Sequence, residues 1–240
     1  MGMIFGSNFS VHVPMLMRSM AEYFCRFEIY SFSDNLYSRF LDSTKDSLNE
    51  LEFGTLNYDL LLEHAATSKD IVTNYFLERH DSNEILLWKL HGSCNFLPVN
   101  IQFDNKIQFE SGIVWDTTLK GVDPREAYAF CKSNTGLYPA MCLYMKSKPT
   151  QIGYTQIQKV RVKWNQAVNN ATKVLIIGVR PYLADTHVWG LLTKTKARIG
   201  YVGSMNGYNH WIVQGRDRNN SEFLGQRWHE CFDNTIEFIF

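Results

Sequence analysis

Apolar and polar positions divide the chain into short buried runs and longer amphipathic stretches. Two continuous apolar runs, at 85–93 and 173–179, end at or near a glycine, and this pattern favours strands buried on both faces. Further strands are predicted at 1–5 and 197–204. Since helical patterns separate these strands, the sequence predicts an α/β protein with a parallel sheet and helices on both faces.

Helical spacing is clearest near the amino terminus, where Pro14 fits the first turn of a helix. Its predicted buried face consists of Leu16, Met17, Met20, Tyr23, Phe24 and Phe27. Residues 34–50 form a polar, loosely helical stretch. The segment 51–63 reads as a strand, a turn and a helix that opens near Tyr58 and continues through 68–80.

The second half of the chain continues the alternation. Helices are predicted at 124–131, 155–171, 185–194 and 222–231, and a terminal strand at 235–240. Alternating residues at 94–116 predict a β-hairpin whose turn lies at Asp104 and Asn105. We expect one domain over residues 1–240, with a helical insertion at about 14–50 and a hairpin and irregular insertion at about 94–138.

Length and charge narrow the possible partners. The 240 residues suit one large core, and the 24 basic residues balance the 24 acidic ones. A chain with no net charge lacks the electrostatic attraction that holds proteins on a phosphate backbone, so direct nucleic-acid binding is not expected. No apolar run of membrane-spanning length and no secretory leader is recognised, so we expect a cytoplasmic protein without membrane association.

Cysteine spacing argues against a structural metal. The five cysteines are scattered and form no CxxC pair, whereas a zinc ribbon needs two such pairs. We therefore expect reduced, mostly buried thiols and no metal ion. The scattered cysteines are Cys25, Cys94, Cys131, Cys142 and Cys231.

Four polar motifs stand at predicted strand ends, where open parallel sheets bind ligands. They are GSNFS (Gly6, Ser7, Asn8, Phe9, Ser10), TLNYD (Thr55, Asn57, Asp59), KLHGS (His91) and IIGVRPYLADTH (Gly178, Asp185). The first motif could hold a pyrophosphate through its backbone amides. Each motif also has a structural reading: an ordinary turn, a helix cap at Asn57 or Asp59, a structural histidine, or a cap at Asp185.

Taken together and in this order, the motifs resemble the sirtuin-like superfamily. They are most similar to its bacterial NAD-hydrolysing branch, which is associated with antiphage defence and carries GAGxS, TxNYD, KLHGS and IGYS…D motifs. Two departures are visible: Asn8 replaces a second glycine, and Val179-Arg180 replaces an aromatic–serine pair. The resemblance implies a Rossmann-like parallel sheet with NAD across its carboxyl edge.

The resemblance also implies roles for individual residues. Asn57 and Asp59 would face the nicotinamide ribose and amide, and His91 the ribose hydroxyls. The phosphates and ribose would lie along Gly6, Ser7, Asn8, Phe9, Ser10 and Thr55. Gly178 and Asp185 would border the adenosine end.

These residue types suit cleavage of the nicotinamide–ribose bond to give ADP-ribose and nicotinamide. Nicotinamide leaves as a neutral group, so the energetic cost lies in an oxocarbenium-like transition state, as in glycoside cleavage. A carboxylate such as Asp59 can stabilise the positive charge, and Asn57 can orient a water. His91 can accept a proton from that water or from a ribose hydroxyl.

Two alternatives remain open. The protein could bind NAD or ADP-ribose without turnover, as an interaction module; or it could be an NAD-dependent protein deacylase, although that branch usually carries a four-cysteine zinc module that is not found here. Relatives in defence often act in assemblies, so the resemblance implies a homo-oligomer or a separate sensor or partner protein.

Overall fold

The computed structural model describes residues 9–76, 83–99, 106–109, 112–133, 137–142 and 152–240. Its α-helices are α1 (Phe9–Phe24), α2 (Leu36–Thr44), α3 (Leu61–Thr67), α4 (Pro124–Lys132), α5 (Tyr154–Asn170), α6 (Leu191–Lys194), α7 (Met205–Val213) and α8 (Phe232–Ile239). Its strands are β1 (Glu52–Thr55), β2 (Val72–Asn74), β3 (Glu84–Lys89), β4 (Phe96–Val99), β5 (Lys106–Phe109), β6 (Gly112–Trp115), β7 (Thr118–Gly121), β8 (Lys173–Ile177), β9 (Arg198–Val202) and β10 (Ser221–Gly225).

Two three-stranded parallel sheets organise the chain, with strand orders β1-β3-β2 and β10-β9-β8. The central strands β3 and β9 are largely buried, as the continuous apolar run predicts for β3, whereas β8, the other such run, is an edge strand whose residues are mostly half-buried. Helix α5 packs against β3 and helix α8 against β8. The structure is therefore mixed α/β with parallel sheets flanked by helices, in agreement with the predicted class at that level.

Two antiparallel ribbons occupy the predicted hairpin region. Strand β4 pairs with β7, and β5 pairs with β6, in which Phe109 is opposite Gly112. The prediction of antiparallel structure is confirmed, and the pairing of β5 with β6 places a reversal between Phe109 and Gly112. Asp104 and Asn105, where the turn was predicted, lie outside the described residues.

Helix α1 begins at Phe9, five residues before Pro14, so the proline lies inside the helix rather than in its first turn. Its predicted buried face is confirmed in part, since Met17 is buried and Met20 and Phe24 pack against the core. Leu16 and Tyr23 are exposed, because the fully buried residues recur every four positions. Those core residues are Val13, Met17, Ala21 and Cys25.

Two predictions in the last third of the chain are wrong, because a predicted helix is a strand and a predicted strand is a helix. The predicted helix at 222–231 is strand β10, whose pairing with β9 outweighs its local pattern, followed by a 3₁₀ turn at Trp228–Glu230. The predicted strand at 235–240 belongs to helix α8. This helix buries Phe232, Thr235 and Phe238, which are three positions apart. Residues 68–80 do not continue a helix either, since Val72–Asn74 form β2.

No helix among the described residues is long and apolar enough to span a bilayer.

Candidate functional site at the strand ends

The first motif is only partly within the described chain. Gly6, Ser7 and Asn8, together with the predicted strand at 1–5, lie outside the described residues. Phe9 and Ser10 are the first two residues of helix α1.

The second motif forms the loop between β1 and α3. Thr55 ends β1, and its hydroxyl oxygen accepts a hydrogen bond from the Asn57 amide at 3.1 Å. The Asn57 side chain is exposed. Asp59 Oδ1 accepts a hydrogen bond from the Leu61 amide at 3.2 Å, at the start of α3. Leu60 is the N-cap residue of α3 and no side chain caps this helix, so the Asp59 carboxylate makes a local turn bond and not the cap that was its structural alternative.

The third motif follows β3 and lies directly beside the second. The Leu90 amide donates to Thr55 O at 3.2 Å, and the Cys94 amide donates to Tyr58 O at 3.1 Å. These bonds form because β1 and β3 are parallel neighbours whose carboxyl ends share one edge of the sheet. The TLNYD and KLHGS loops are therefore adjacent.

A buried ion pair also joins these two loops. Lys89, which has no solvent exposure, donates to Glu63 Oε1 at 2.7 Å and to the backbone carbonyl of Asp59. Tyr75 Oη donates to the same Glu63 oxygen at 3.2 Å. Burial and the Glu63 carboxylate both raise the pKa of Tyr75 far above its usual value. Its hydroxyl therefore stays protonated and remains a donor.

His91 is held by its backbone and by its side chain. The Cys142 amide donates to His91 O at 2.7 Å, and Gly92 follows with a φ of 81°. A β-carbon at Gly92 would lie 2.0 Å from Ala140 O, so the chain approaches too closely for any other residue. His91 is only 4% exposed. The predicted catalytic imidazole is therefore nearly enclosed.

The fourth motif starts at Gly178, which follows β8 with a φ of 70°. Asp185 is buried, and its backbone carbonyl accepts hydrogen bonds from the Val188 and Trp189 amides, both at 2.9 Å. Its carboxylate accepts no capping hydrogen bond from the amides of the following turn. That turn, Thr186–Gly190, is π-helical, a rare geometry that is frequent at functional sites.

His187 lies on this π-helical turn and contacts His91. The two Nε2 atoms are 3.0 Å apart, and the rings meet edge to face at 61° with centroids 5.2 Å apart. The sequence did not single out this pair, because 96 residues separate the two histidines. Only the fold brings the third and fourth motifs into contact.

Tyr58 borders the same region. Its hydroxyl donates to Cys142 O at 2.9 Å. Burial chiefly, with added effects from Cys142 and the Asp185 carboxylate, raises the pKa of Tyr58, while Arg161 opposes that rise. Arg161 in turn donates to Leu90 O at 3.1 Å. The loops after β1, β3 and β8 thus meet around His91.

A concave pocket of about 610 Å³ continues this row at the ends of β9 and β10. That volume falls within the range of ligand pockets, roughly 300–1,000 Å³. The loop after β8 approaches helix α7, which begins at this pocket, since a β-carbon on Gly207 would lie 3.5 Å from Pro181. The pocket lining is polar and apolar in about equal parts and consists of Gly203, Ser204, Met205, Asn206, Asn209, Gln226 and Arg227.

The sequence alone did not indicate this pocket. The β10 side of the pocket was predicted as helix, and the one local signal was Gly203-Ser204, at the end of the predicted strand 197–204. Ser204 caps α7 by accepting a hydrogen bond from the Gly207 amide at 3.3 Å. The helix therefore begins at the pocket, where its positive dipole end favours anions.

No group of metal-ligating side chains occurs in the described part of the chain. All five cysteines are free thiols and buried. A scan against models of protein families and a search of curated proteins found no match for this chain.

Proposed function

We propose that this protein is an NAD hydrolase that cleaves the nicotinamide–ribose bond and releases ADP-ribose and nicotinamide. The proposal includes a Rossmann-like, sirtuin-like arrangement in which the chain forms one NAD-binding domain over residues 1–240. The helical insertion at about 14–50 and the ribbon region at about 94–138 flank its sheet.

The observation that carries this proposal is the row of loops along the carboxyl ends of the parallel strands. Hydrogen bonds link the loop after β1 to the loop after β3, and His91 contacts His187 in the loop after β8. The β8 loop also approaches helix α7, which begins at the pocket that follows β9. The carboxyl ends of parallel strands are where open α/β sheets bind nucleotides.

Within this proposal, the nicotinamide ribose lies near the loops after β1 and β3. Asn57 orients the attacking water, Asp59 stabilises the oxocarbenium-like charge, and His91 accepts a proton. Thr55, and the turn of Gly6, Ser7, Asn8, Phe9 and Ser10, line the ribose and phosphates. Gly178 and Asp185 border the adenosine end, which reaches towards the pocket of Ser204 and Arg227.

Product analysis tests the proposal directly. Purified protein incubated with NAD should yield nicotinamide and ADP-ribose in equal amounts, detected by chromatography. Asn57→Ala and His91→Ala should each lower the rate by about 100-fold or more. His229→Ala is the matched control, since His229 is exposed and lies beside the exposed Glu230. Unchanged cleavage by both site variants, in folded protein, would contradict the assignment.

A second function is favoured by the enclosure of His91. Its imidazole is almost buried and already contacts His187, and the Asp59 carboxylate already accepts a hydrogen bond from the Leu61 amide. Such a site suits a non-catalytic module that binds NAD or ADP-ribose. Calorimetric binding of NAD without release of nicotinamide, at every protein concentration tested, would select this function over hydrolysis.

The biological setting is proposed from the resemblance alone. We propose that the protein acts in bacterial antiphage defence by depleting NAD in the cytoplasm, as a homo-oligomer or with a separate sensor protein. Light scattering across a range of concentrations, with activity measured in parallel, tests this setting. A monomer with full activity on its own would contradict the need for an assembly.

A further inference from the structure

We propose that Lys89 is a positioning residue that holds the TLNYD loop beside the KLHGS loop through the backbone carbonyl of Asp59. The inference deepens the proposed function and rests on it for its catalytic consequence. Its structural part, a main-chain contact made by a buried ammonium group, rests on geometry alone.

The ammonium group of Lys89 has to find its partners inside the protein. Lys89 ends β3 and its side chain has no solvent exposure. Removal of an ammonium ion from water is costly unless its donors are used. The group donates to Glu63 Oε1 at 2.7 Å and to the carbonyl oxygen of Asp59. The first contact compensates the charge, whereas the second fixes a point of the main chain.

The Asp59 carbonyl belongs to the loop that carries Asn57 and the Asp59 carboxylate. Backbone amides after β3 already donate to this loop at Thr55 O and Tyr58 O. Lys89 adds an attachment one residue further, just before α3 begins. Because the peptide unit is planar, a bond to its oxygen restricts the backbone rotations that direct the Asp59 side chain.

A series of hydrogen bonds holds the ammonium group itself. Glu63 Oε1 also accepts from Tyr75 Oη at 3.2 Å, and Asn95 Nδ2 donates to Tyr75 Oη at 3.3 Å and to Val122 O at 2.8 Å. Lys89 and Asn95 are buried. A buried and connected network of this kind is rigid, so Lys89 reaches the Asp59 carbonyl as a fixed donor.

A simpler interpretation gives Lys89 one task only, which is to neutralise Glu63. The two interpretations differ for a variant without either charge. Lys89→Met/Glu63→Gln keeps an acceptor for Tyr75 and has no uncompensated charge, but it has no donor for the Asp59 carbonyl. Glu63→Gln is the converse variant, because it keeps the lysine and its bond to Asp59 but removes the counter-charge.

Unfolding and kinetics are measured together on these variants. If Lys89 positions the loop, the double variant should be more stable than Lys89→Met, yet its kcat for NAD cleavage should fall by about 100-fold with little change in KM. Glu63→Gln should lose stability but keep most of the wild-type kcat. A double variant with wild-type kcat, or an equal loss of kcat in Glu63→Gln and the double variant, would overturn the inference.

NMR spectroscopy gives a readout that needs neither activity nor a variant. In wild-type protein, a coupling through the hydrogen bond should connect Lys89 Nζ with the carbonyl carbon of Asp59, and its absence would overturn the inference. Wild-type protein that shows this coupling but cleaves no NAD would refute the proposed function, and with it the catalytic consequence, while the contact itself stands.

Discussion

Gly92 and Gly178 both have positive φ values, 81° and 70°, yet their surroundings differ. A β-carbon at Gly92 would meet Ala140 O at 2.0 Å, whereas nothing lies within 4 Å of one at Gly178. Gly178→Ala should therefore cost only the backbone strain, about 1–2 kcal/mol. Gly92→Ala should cost about 1–3 kcal/mol more because Ala140 must move. Urea unfolding checks this difference, and equal costs for both variants would contradict it.

The Lys89–Glu63 pair makes a second residue-scale prediction. Lys89→Met leaves the Glu63 carboxylate buried beside Tyr75 without its cation, and should lower the free energy of unfolding by about 3–5 kcal/mol. The double variant Lys89→Met/Glu63→Gln removes both charges and keeps an acceptor for Tyr75. It should be more stable than Lys89→Met alone.

The exposed pair of Arg198 and Glu222 is the control for that experiment. Arg198→Met should cost at most about 1 kcal/mol, since water screens the pair. Chemical denaturation of all three variants under one set of conditions compares them. If the double variant were less stable than Lys89→Met, the cost of Lys89→Met would not come from an uncompensated charge on Glu63.

At the scale of elements, helix α4 depends on its first turn. Asp123 accepts hydrogen bonds from the Arg125 and Glu126 amides at 2.8 and 3.0 Å, and Pro124 follows it. Asp123→Ala should cost about 1 kcal/mol, and Asp123→Asn much less because the amide oxygen still caps the helix. Thermal unfolding compares the two, and an equal loss in both would indicate that charge, rather than the cap, matters.

The elements also show where sequence patterns succeed. Helices α4 and α5 and strands β3, β8 and β9 agree with the predictions within a few residues, because each has a clear period or a continuous apolar run. Ser221–Gly225 was predicted as helix but is a strand because it completes the sheet beside β9. No local pattern contains that partner.

For the whole molecule, burial of tyrosines and thiols predicts sensitivity to alkali. Burial raises the pKa of Tyr138 above its usual 10.0, and of Cys131 to about 12, chiefly by desolvation. The unfolded chain then loses these protons at lower pH than the folded one, so stability is intact below about pH 8 and falls as the pH rises. Cys25, whose pKa is lowered mainly by Cys94, contributes in the opposite direction.

Urea midpoints measured from about pH 8 to pH 11 check this prediction. The midpoint should fall over that range, and most steeply once unfolded tyrosines ionise near pH 10. Tyr138→Phe removes one buried phenol, so its midpoint should fall less between about pH 10 and pH 11 than that of the wild type. If the wild-type midpoint stayed constant over this range, burial would not raise the pKa of these groups as stated.

The sequence by itself determined the α/β class, the position of most helices and central strands, and the four polar motifs at strand ends. Periodicity and turn residues are local properties, so the chain carries them before it folds. Only the tertiary structure decided which of those motifs meet. The His91–His187 contact, the Lys89–Glu63 pair and the pocket beside Ser204 join residues far apart in sequence. Strand pairing within each sheet, and a core cluster that contains both Leu90 and Val188, bring them together.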